Sequence, residues 1–321
     1  MTAEQLALAG MPRRLYACTP SRLTTWLDCP RRYRFTYLDR PTPAKGPPWA
    51  HNSLGASVHN ALRGWWDVPL ARRTPAAAAS LVDSGWLTDG YRDDAQSAAV
   101  RRQARDMVHR YTSGVDPAVE PRAVERTVAT KTEQLALSGR VDRVDERPCD
   151  HYDGDRDSDR TGRDEAAEPL GDDGADPTGA ASSTALVVVD YKTGRAAPTT
   201  DDARGSLALA VYVLGVRRTL RAACSRVELH HLPTGQVAAF DHTQASLARH
   251  IARAESIAAE AATADAAYRS GVGSPGELDE IFAPRTGALC GWCDFQRVCP
   301  QGLQAAAPRK PWDAVQELAL K

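Results

Sequence analysis

Five consecutive apolar residues, Ala185 to Val189, three of them valines, leave this chain few architectures. β-Branched side chains favour extended backbone, and a strand without polar alternation must be covered on both faces. The run closes at Asp190-Tyr191-Lys192-Thr193-Gly194, where the glycine marks its end. A doubly covered strand calls for helices above and below a sheet, an α/β or α+β core with helical flanks. Neither this run nor Leu207 to Val216 is long enough to span a bilayer, so no membrane partner is expected.

The flanking sequence supplies those helices. Thr19-Pro20-Ser21 is an N-cap followed by proline at the first helical position, and Pro30 interrupts the helix it starts. Val58, Leu62 and Trp65 recur at helical spacing between Gly55 and Trp66; Ala76 to Tyr111 reads as helical with a break near Gly85 to Gly90. Leu207 to Leu220 and Gln244 to Tyr268 are two further helices, the second with Leu247, Ile251, Ala254 and Ala258 on one stripe. Arg226 to His231 and Gln236 to Asp241 bracket Pro233-Thr234-Gly235 as a hairpin. Val124 to Asp145 reads as two extended stretches meeting in a turn at Ser138-Gly139.

Between that hairpin and the apolar strand lies a segment rich in Asp, Gly, Arg and Pro, Cys149 to Ser183. It holds too little apolar surface to offset its ordering entropy and is expected to be a disordered, overgrown connection between two neighbouring strands. From Asp145 to Thr184 there are 13 acidic residues against 4 arginines, so a net charge of −1 conceals a mildly basic body. Such a body is compatible with a nucleic-acid ligand without establishing one. The expected organisation is a disordered tail (1–18), a helical region (19–111), a core sheet (112–242) containing the acidic insert (146–184), a long helix with a cysteine tail (243–302) and a flexible end (303–321).

Chemistry concentrates in two places. On a strand, Asp190 and Lys192 project to one face, where a carboxylate can hold a divalent cation and a lysine can orient a water; the bland alternative is a strand-end ion pair. Asp142, in Gly139-Arg140-Val141-Asp142-Arg143-Val144-Asp145, can lie beside Asp190 in an antiparallel register, and two such carboxylates repel unless a cation lies between them. Arg143 and Asp145 read as a surface ion pair. His59, on the helix beginning near Gly55, can complete an O/N site suited to Mg²⁺ or Mn²⁺, or can be an ordinary helix histidine. The second place is Cys290-x2-Cys293-x5-Cys299, three thiols followed by Pro300, with Cys29-Pro30 far upstream; four thiolates suit zinc or a cubane iron–sulfur cluster. Cys18, Cys149 and Cys224 read as bystanders. Arg31, Arg32 and Arg34, interleaved with Tyr33 and Phe35, can track and stack a single strand or line an amphipathic helix.

Taken in order, the segment from Thr19 to Phe35, Gly55 to His59, Gly139 to Asp145, Asp190 to Lys192 and the cysteine run ending at Pro300 resemble the RecB-like branch of the PD-(D/E)xK nucleases, in particular its iron–sulfur-containing exonucleases. The resemblance implies a restriction-endonuclease-like mixed sheet flanked by helices, with a 4Fe-4S cluster held by Cys29, Cys290, Cys293 and Cys299 and zinc as the alternative. It implies Mg²⁺ or Mn²⁺ at His59, Asp142, Asp190 and the Tyr191 carbonyl, Lys192 as the residue activating water, and Tyr212 beside the substrate. One departure is visible: the helix after Lys192 keeps Tyr212, but the position where the family carries glutamine is Ala208.

The implied activity is metal-dependent DNA exonucleolysis in repair or recombination, on single strands or free ends, alone or beside a helicase. No Gly-x4-Gly-Lys-Ser/Thr loop occurs, so no ATP motor is expected within this sequence. Met1 to Gly10 lacks a basic segment followed by an apolar one, and a cytoplasmic location is expected. The competing expectations are a non-catalytic DNA-binding or scaffold subunit that keeps the cysteine clasp, and a zinc-stabilised nucleic-acid-binding protein.

Overall fold

Helix boundaries follow local capping chemistry. Thr19 Oγ1 accepts the Arg22 N–H at 3.2 Å and starts α1 (Pro20–Asp28). Cys29 ends that helix and caps the next, α2 (Pro30–Tyr37), its sulfur accepting the Arg32 N–H at 3.5 Å. Three more helices follow: α3 (Ala50–Asp67), α4 (Pro75–Ser84) and α5 (Asp94–Ser113), the last two separated where glycines 85 and 90 suggest a break. The computed structural model describes residues 15–148, 184–271 and 275–315. Most of the expected N-terminal tail, the acidic segment 149–183 and the end from 316 lie outside the described residues.

A mixed sheet of six strands forms the centre: β1 (Tyr16–Cys18), β2 (Ala123–Lys131), β3 (Leu135–Pro148), β4 (Thr184–Lys192), β5 (Cys224–His231) and β6 (Gln236–Asp241). The order is β1-β3-β4-β5-β6, with β2 also paired to β3. Tyr16–Cys18, expected as tail, pairs parallel with Leu135–Leu137, because a parallel register there adds ladder hydrogen bonds and buries Cys18. Strands β3 and β4 run antiparallel, Pro148 opposite Thr184, so the acidic segment does connect sheet neighbours. A crossover through α6 (Thr200–Gly205) and α7 (Leu207–Leu220) makes β4 and β5 parallel. After the β5–β6 hairpin come α8 (Gln244–Ser270), α9 (Pro275–Ile281) and α10 (Pro300–Ala305).

The β4 valines show why the strand lacks alternation. Leu186 and Val188 pack with α7 side chains, while Val187, Val189 and Tyr191 pack with α3, α4 and α5 on the other face. A third apolar cluster joins α1 and α2 to α8, including Leu23, Trp26, Tyr33 and Ile257. At its rim Asp265, 1% exposed, accepts from Tyr16 Oη, Tyr33 Oη and Arg22 Nη2, so its charge is paired rather than stranded.

Two expectations need correction. Ser138-Gly139 is no turn: both residues lie inside β3, opposite Ala129 and Val128, and the reversal occurs at 132–134, where Thr132 Oγ1 accepts from Gln134 and Leu135 N–H groups. The glycine serves close approach instead, since a Cβ at 139 would sit 2.4 Å from Cε1 of Tyr212 on α7. Gly139→Ala is therefore expected to cost about 1–3 kcal/mol by overpacking, read as a lower urea midpoint, with Tyr212 displaced. Nor does the Arg31–Phe35 stretch offer stacking faces. Tyr33 is 0% and Phe35 7% exposed, and Arg31 is buried with its Nε donating to the Phe282 carbonyl, because this helix closes the core against α8 and α9.

Candidate metal centre

Three adjacent strands bring three carboxylates level. Val124 opposes Arg143 and Arg126 opposes Val141, which sets Glu125 beside Asp142; Arg143 opposes Val189, which sets Asp190 on the other side of Asp142. Neighbouring strands lie about 4.8 Å apart, so the row concentrates negative charge that only a cation or protons can relieve. His59 reaches this row from the middle of α3, with Nδ1 3.3 Å from Asp142 Oδ1. One donor atom each from His59, Glu125 and Asp142 falls within 4.8 Å of the others.

Asp190 and Lys192 stand next to this group. Lys192 Nζ is 2.5 Å from Asp190 Oδ2, yet that oxygen is buried without a properly angled hydrogen bond. Burial, reinforced by the Asp142 charge, raises the Asp190 pKa despite the opposing pull of Lys192 and His59. For His59, burial disfavours the charged ring, but its hydrogen bond to the Asp142 carboxylate and the charges of Asp142, Asp190 and Glu125 outweigh it and raise its pKa. Tyr191 enters through its backbone N–H, which donates to Asp142 Oδ2 at 2.8 Å, and through its ring, 5.7 Å from that of His59. Tyr212, resting on Gly139, has its hydroxyl pushed up to about 12 by burial and by the two aspartates. The structure thus brings together His59, Asp142, Asp190, Tyr191, Lys192 and Tyr212.

Glu125 escaped the sequence reading. Nothing in Val124-Glu125-Arg126 marks it; its place depends on strand register alone. One backbone signal does single it out: φ is 47°, a left-handed conformation uncommon for a non-glycine residue and typical of strain held at functional sites. Its carboxylate is 3.4 Å from Arg140 Nη1.

Behind the metal row, a closed ring of polar groups braces the sheet. Glu228 accepts two hydrogen bonds from Arg147, at 2.8 and 3.0 Å, and lies 2.9 Å from His230 Nε2. His230 Nδ1 meets Tyr111 Oη at 2.8 Å, Arg143 donates to both Tyr111 and Tyr191, and Asp145 takes Arg143 and Arg147 to close the circuit. The expected surface pair Arg143–Asp145 is hence corrected: Arg143 is only 4% exposed, covered by Tyr191 of β4, Tyr111 of α5 and Trp66 of α3, with Asp145 still pairing its charge. Through Tyr191 this ring holds the peptide that donates to Asp142.

Far from the sheet, Cys29, Cys290, Cys293 and Cys299 line one cavity of about 130 Å³. No three of their sulfurs lie within 4.8 Å of one another. Cys18 and Cys224 are buried in the core, which pushes their thiols up to about 11 and about 12. No helix among the described residues is long and apolar enough to cross a membrane.

No curated protein matches the sequence. The profile of the PD-(D/E)XK nuclease superfamily matches residues 17–153 and 178–300, which takes in His59, Asp142, Asp190, Lys192, Cys29, Cys290, Cys293 and Cys299. The chain belongs to the PD-(D/E)XK nuclease superfamily.

Proposed function

We propose that this chain is a Mg²⁺- or Mn²⁺-dependent deoxyribonuclease of the RecB-like exonuclease type, acting in DNA repair or recombination, in the cytoplasm, alone or beside a helicase. The observation that carries the reading is the meeting of His59, Asp142 and Asp190 with Lys192, where the middle of β3 lies beside the end of β4. Three level carboxylates, one imidazole and a buried Asp190 oxygen without a well-made hydrogen bond fit a hard divalent ion. Held by His59, Asp142 and Asp190, with Glu125 and the Tyr191 carbonyl as further donors, such an ion supplies Lewis-acid charge for the attacked phosphodiester.

The side chains do the rest. Lys192 Nζ is positioned by Asp190 to hydrogen-bond the attacking water and orient it in line with the scissile bond. Asp142 is itself fixed by the Tyr191 N–H, so its carboxylate cannot swing away when the substrate arrives. Tyr212 remains a neutral phenol at physiological pH and can donate to a phosphate oxygen. Ala208 offers no such donor where the family's glutamine would stand, which leaves Tyr212 to hold the backbone phosphate on that helix.

The four cysteines that line one cavity suit a 4Fe-4S cluster, with zinc as the alternative, and the resemblance to iron–sulfur-containing exonucleases favours the cluster. The cluster would clasp α2 to the C-terminal turns and act structurally, its loss lowering stability rather than chemistry.

The test is incubation of end-labelled single- and double-stranded DNA with purified protein and Mn²⁺ or Mg²⁺. Shortening of the labelled strand, abolished by a chelator, is expected; intact DNA under every metal condition overturns the reading. Broad absorption near 400 nm with stoichiometric iron is expected of the same preparation, and zinc in its place removes the cluster assignment.

A further inference from the structure

A wide cleft of about 1030 Å³ opens between α3 and α5, lined by His51, Gly55, Arg110, Thr193 and Arg195 among others. Gly55 lies one helical turn before His59, and a Cβ there would touch Thr193 Oγ1 at 3.6 Å, immediately after Lys192. One end of the cleft therefore lies a helical turn from His59 and one residue from Lys192. Its other end adjoins a second hollow of about 380 Å³, which shares His51 and holds Trp49, Trp292 and Arg32. Arg32 and Trp292 also border the cysteine cavity, so the three hollows adjoin one another from Thr193 to the four cysteines.

The floor of these hollows suits unpaired bases. The half-buried rings of Trp49 and Trp292 have centroids 5.3 Å apart, with His51 5.9 and 6.0 Å from them. Trp49 Nε1 donates to Asp294 at 2.7 Å, which locks the indole and quiets the carboxylate beside it. His51 Nδ1 is buried with no hydrogen-bond partner among the described residues, an unsatisfied polar atom beside the two indoles. Arg110 and Arg195 supply positive charge along the length, with Arg32 paired to Asp28 at 3.7 Å, against Asp106 and the already bonded Asp294. Aromatic faces interleaved with guanidinium groups bind single strands by stacking and phosphate contact, without reading sequence. The Arg31–Phe35 helix cannot do this, because its aromatic rings are in the core.

We propose that these hollows form the track for single-stranded DNA, with Trp49, His51 and Trp292 as the stacking step and Arg110 and Arg195 as phosphate contacts leading the strand to the metal centre. The proposal rests on the nuclease reading for its substrate and adds where that substrate lies. Trp292 stands between Cys290 and Cys293, so the clasp also shapes the step.

The experiment measures binding of a fluorescein-labelled oligothymidylate to the full chain in chelator, by anisotropy, for wild type, Trp292→Ala, Trp292→Phe and Arg110→Ala/Arg195→Ala. Trp292→Ala is expected to weaken binding about tenfold or more, and Trp292→Phe to restore most of it. The double arginine variant is expected to flatten the salt dependence by about 0.7 per lost contact. With Mn²⁺, all variants should hydrolyse bis(p-nitrophenyl) phosphate, which needs only the metal centre, at the wild-type rate. Unchanged oligonucleotide affinity and salt slope overturn the track, and so does parallel loss of small-substrate hydrolysis. A wild type that binds the oligonucleotide in this Trp292-dependent way yet cleaves no phosphodiester supports the track and removes the nuclease reading instead.

Discussion

Lys192→Ala is expected to lower the single-turnover cleavage rate of labelled DNA by about 10³-fold while Mn²⁺ affinity changes only a few-fold. The asymmetry follows from position. Lys192 shares a face with Asp190 and touches its carboxylate at 2.5 Å, but it brings no donor atom to a cation. On the proposed mechanism, what disappears is the group that orients the attacking water, which matters in the transition state far more than in the resting protein. Lys192→Arg should not rescue the rate, since a planar, permanently protonated guanidinium cannot replace a compact ammonium at that contact. A loss of metal affinity as large as the loss of rate would place Lys192 among the groups that assemble the centre.

Glu228→Gln is expected to cost about 3 kcal/mol of stability, because it leaves Arg147, Arg226 and His230 facing a neutral amide inside the protein. Glu228 is 3% exposed. Burial opposes its charge, but hydrogen bonds from His230, Arg147 and Arg226 overcome that and hold its pKa well below the ordinary carboxylate range. The sign of the pH dependence follows. A carboxylate with a depressed folded pKa stabilises fully above its unfolded value, near 4.5, and that contribution disappears as pH falls toward the folded value. Urea midpoints for wild type and variant should accordingly differ most near neutrality and converge as pH is lowered below about 4. A gap independent of pH would mean that the ring is not held by the Glu228 charge.

How much of this was legible in the sequence depended on how local each signal was. Asp190 and Lys192 share a face by strand parity alone, and His59 declares a helix face through Val58 and Leu62, so the centre could be assembled before any coordinates. Glu125 could not, since whether it stands level with Asp142 is decided by the β2–β3 register and not by any residue near it. Gly139 misled because glycine serves turns and close approach alike, and the ring that approaches it belongs to a helix some seventy residues on. Arg143 and Asp145 read as a solvated pair because charges usually are. Their ring closes through Glu228 and His230 on β5, partners that only the sheet order brings near. The Arg31–Phe35 stretch left two readings open, and the structure decides for the helix whose aromatic rings are in the core; the half-buried aromatic group of residues 49, 51 and 292 forms only through contacts distant in sequence.

Calorimetric titration of the metal-free protein with Mn²⁺, wild type beside Asp142→Asn, asks most directly whether these side chains form one ion-binding centre. Asp142 is the carboxylate shared by His59, Glu125 and Asp190, so saturable binding by wild type should weaken by about 10²-fold or vanish in the variant, with thermal stability in chelator unchanged or raised. Superimposable isotherms from the two proteins would show that no cation is held there.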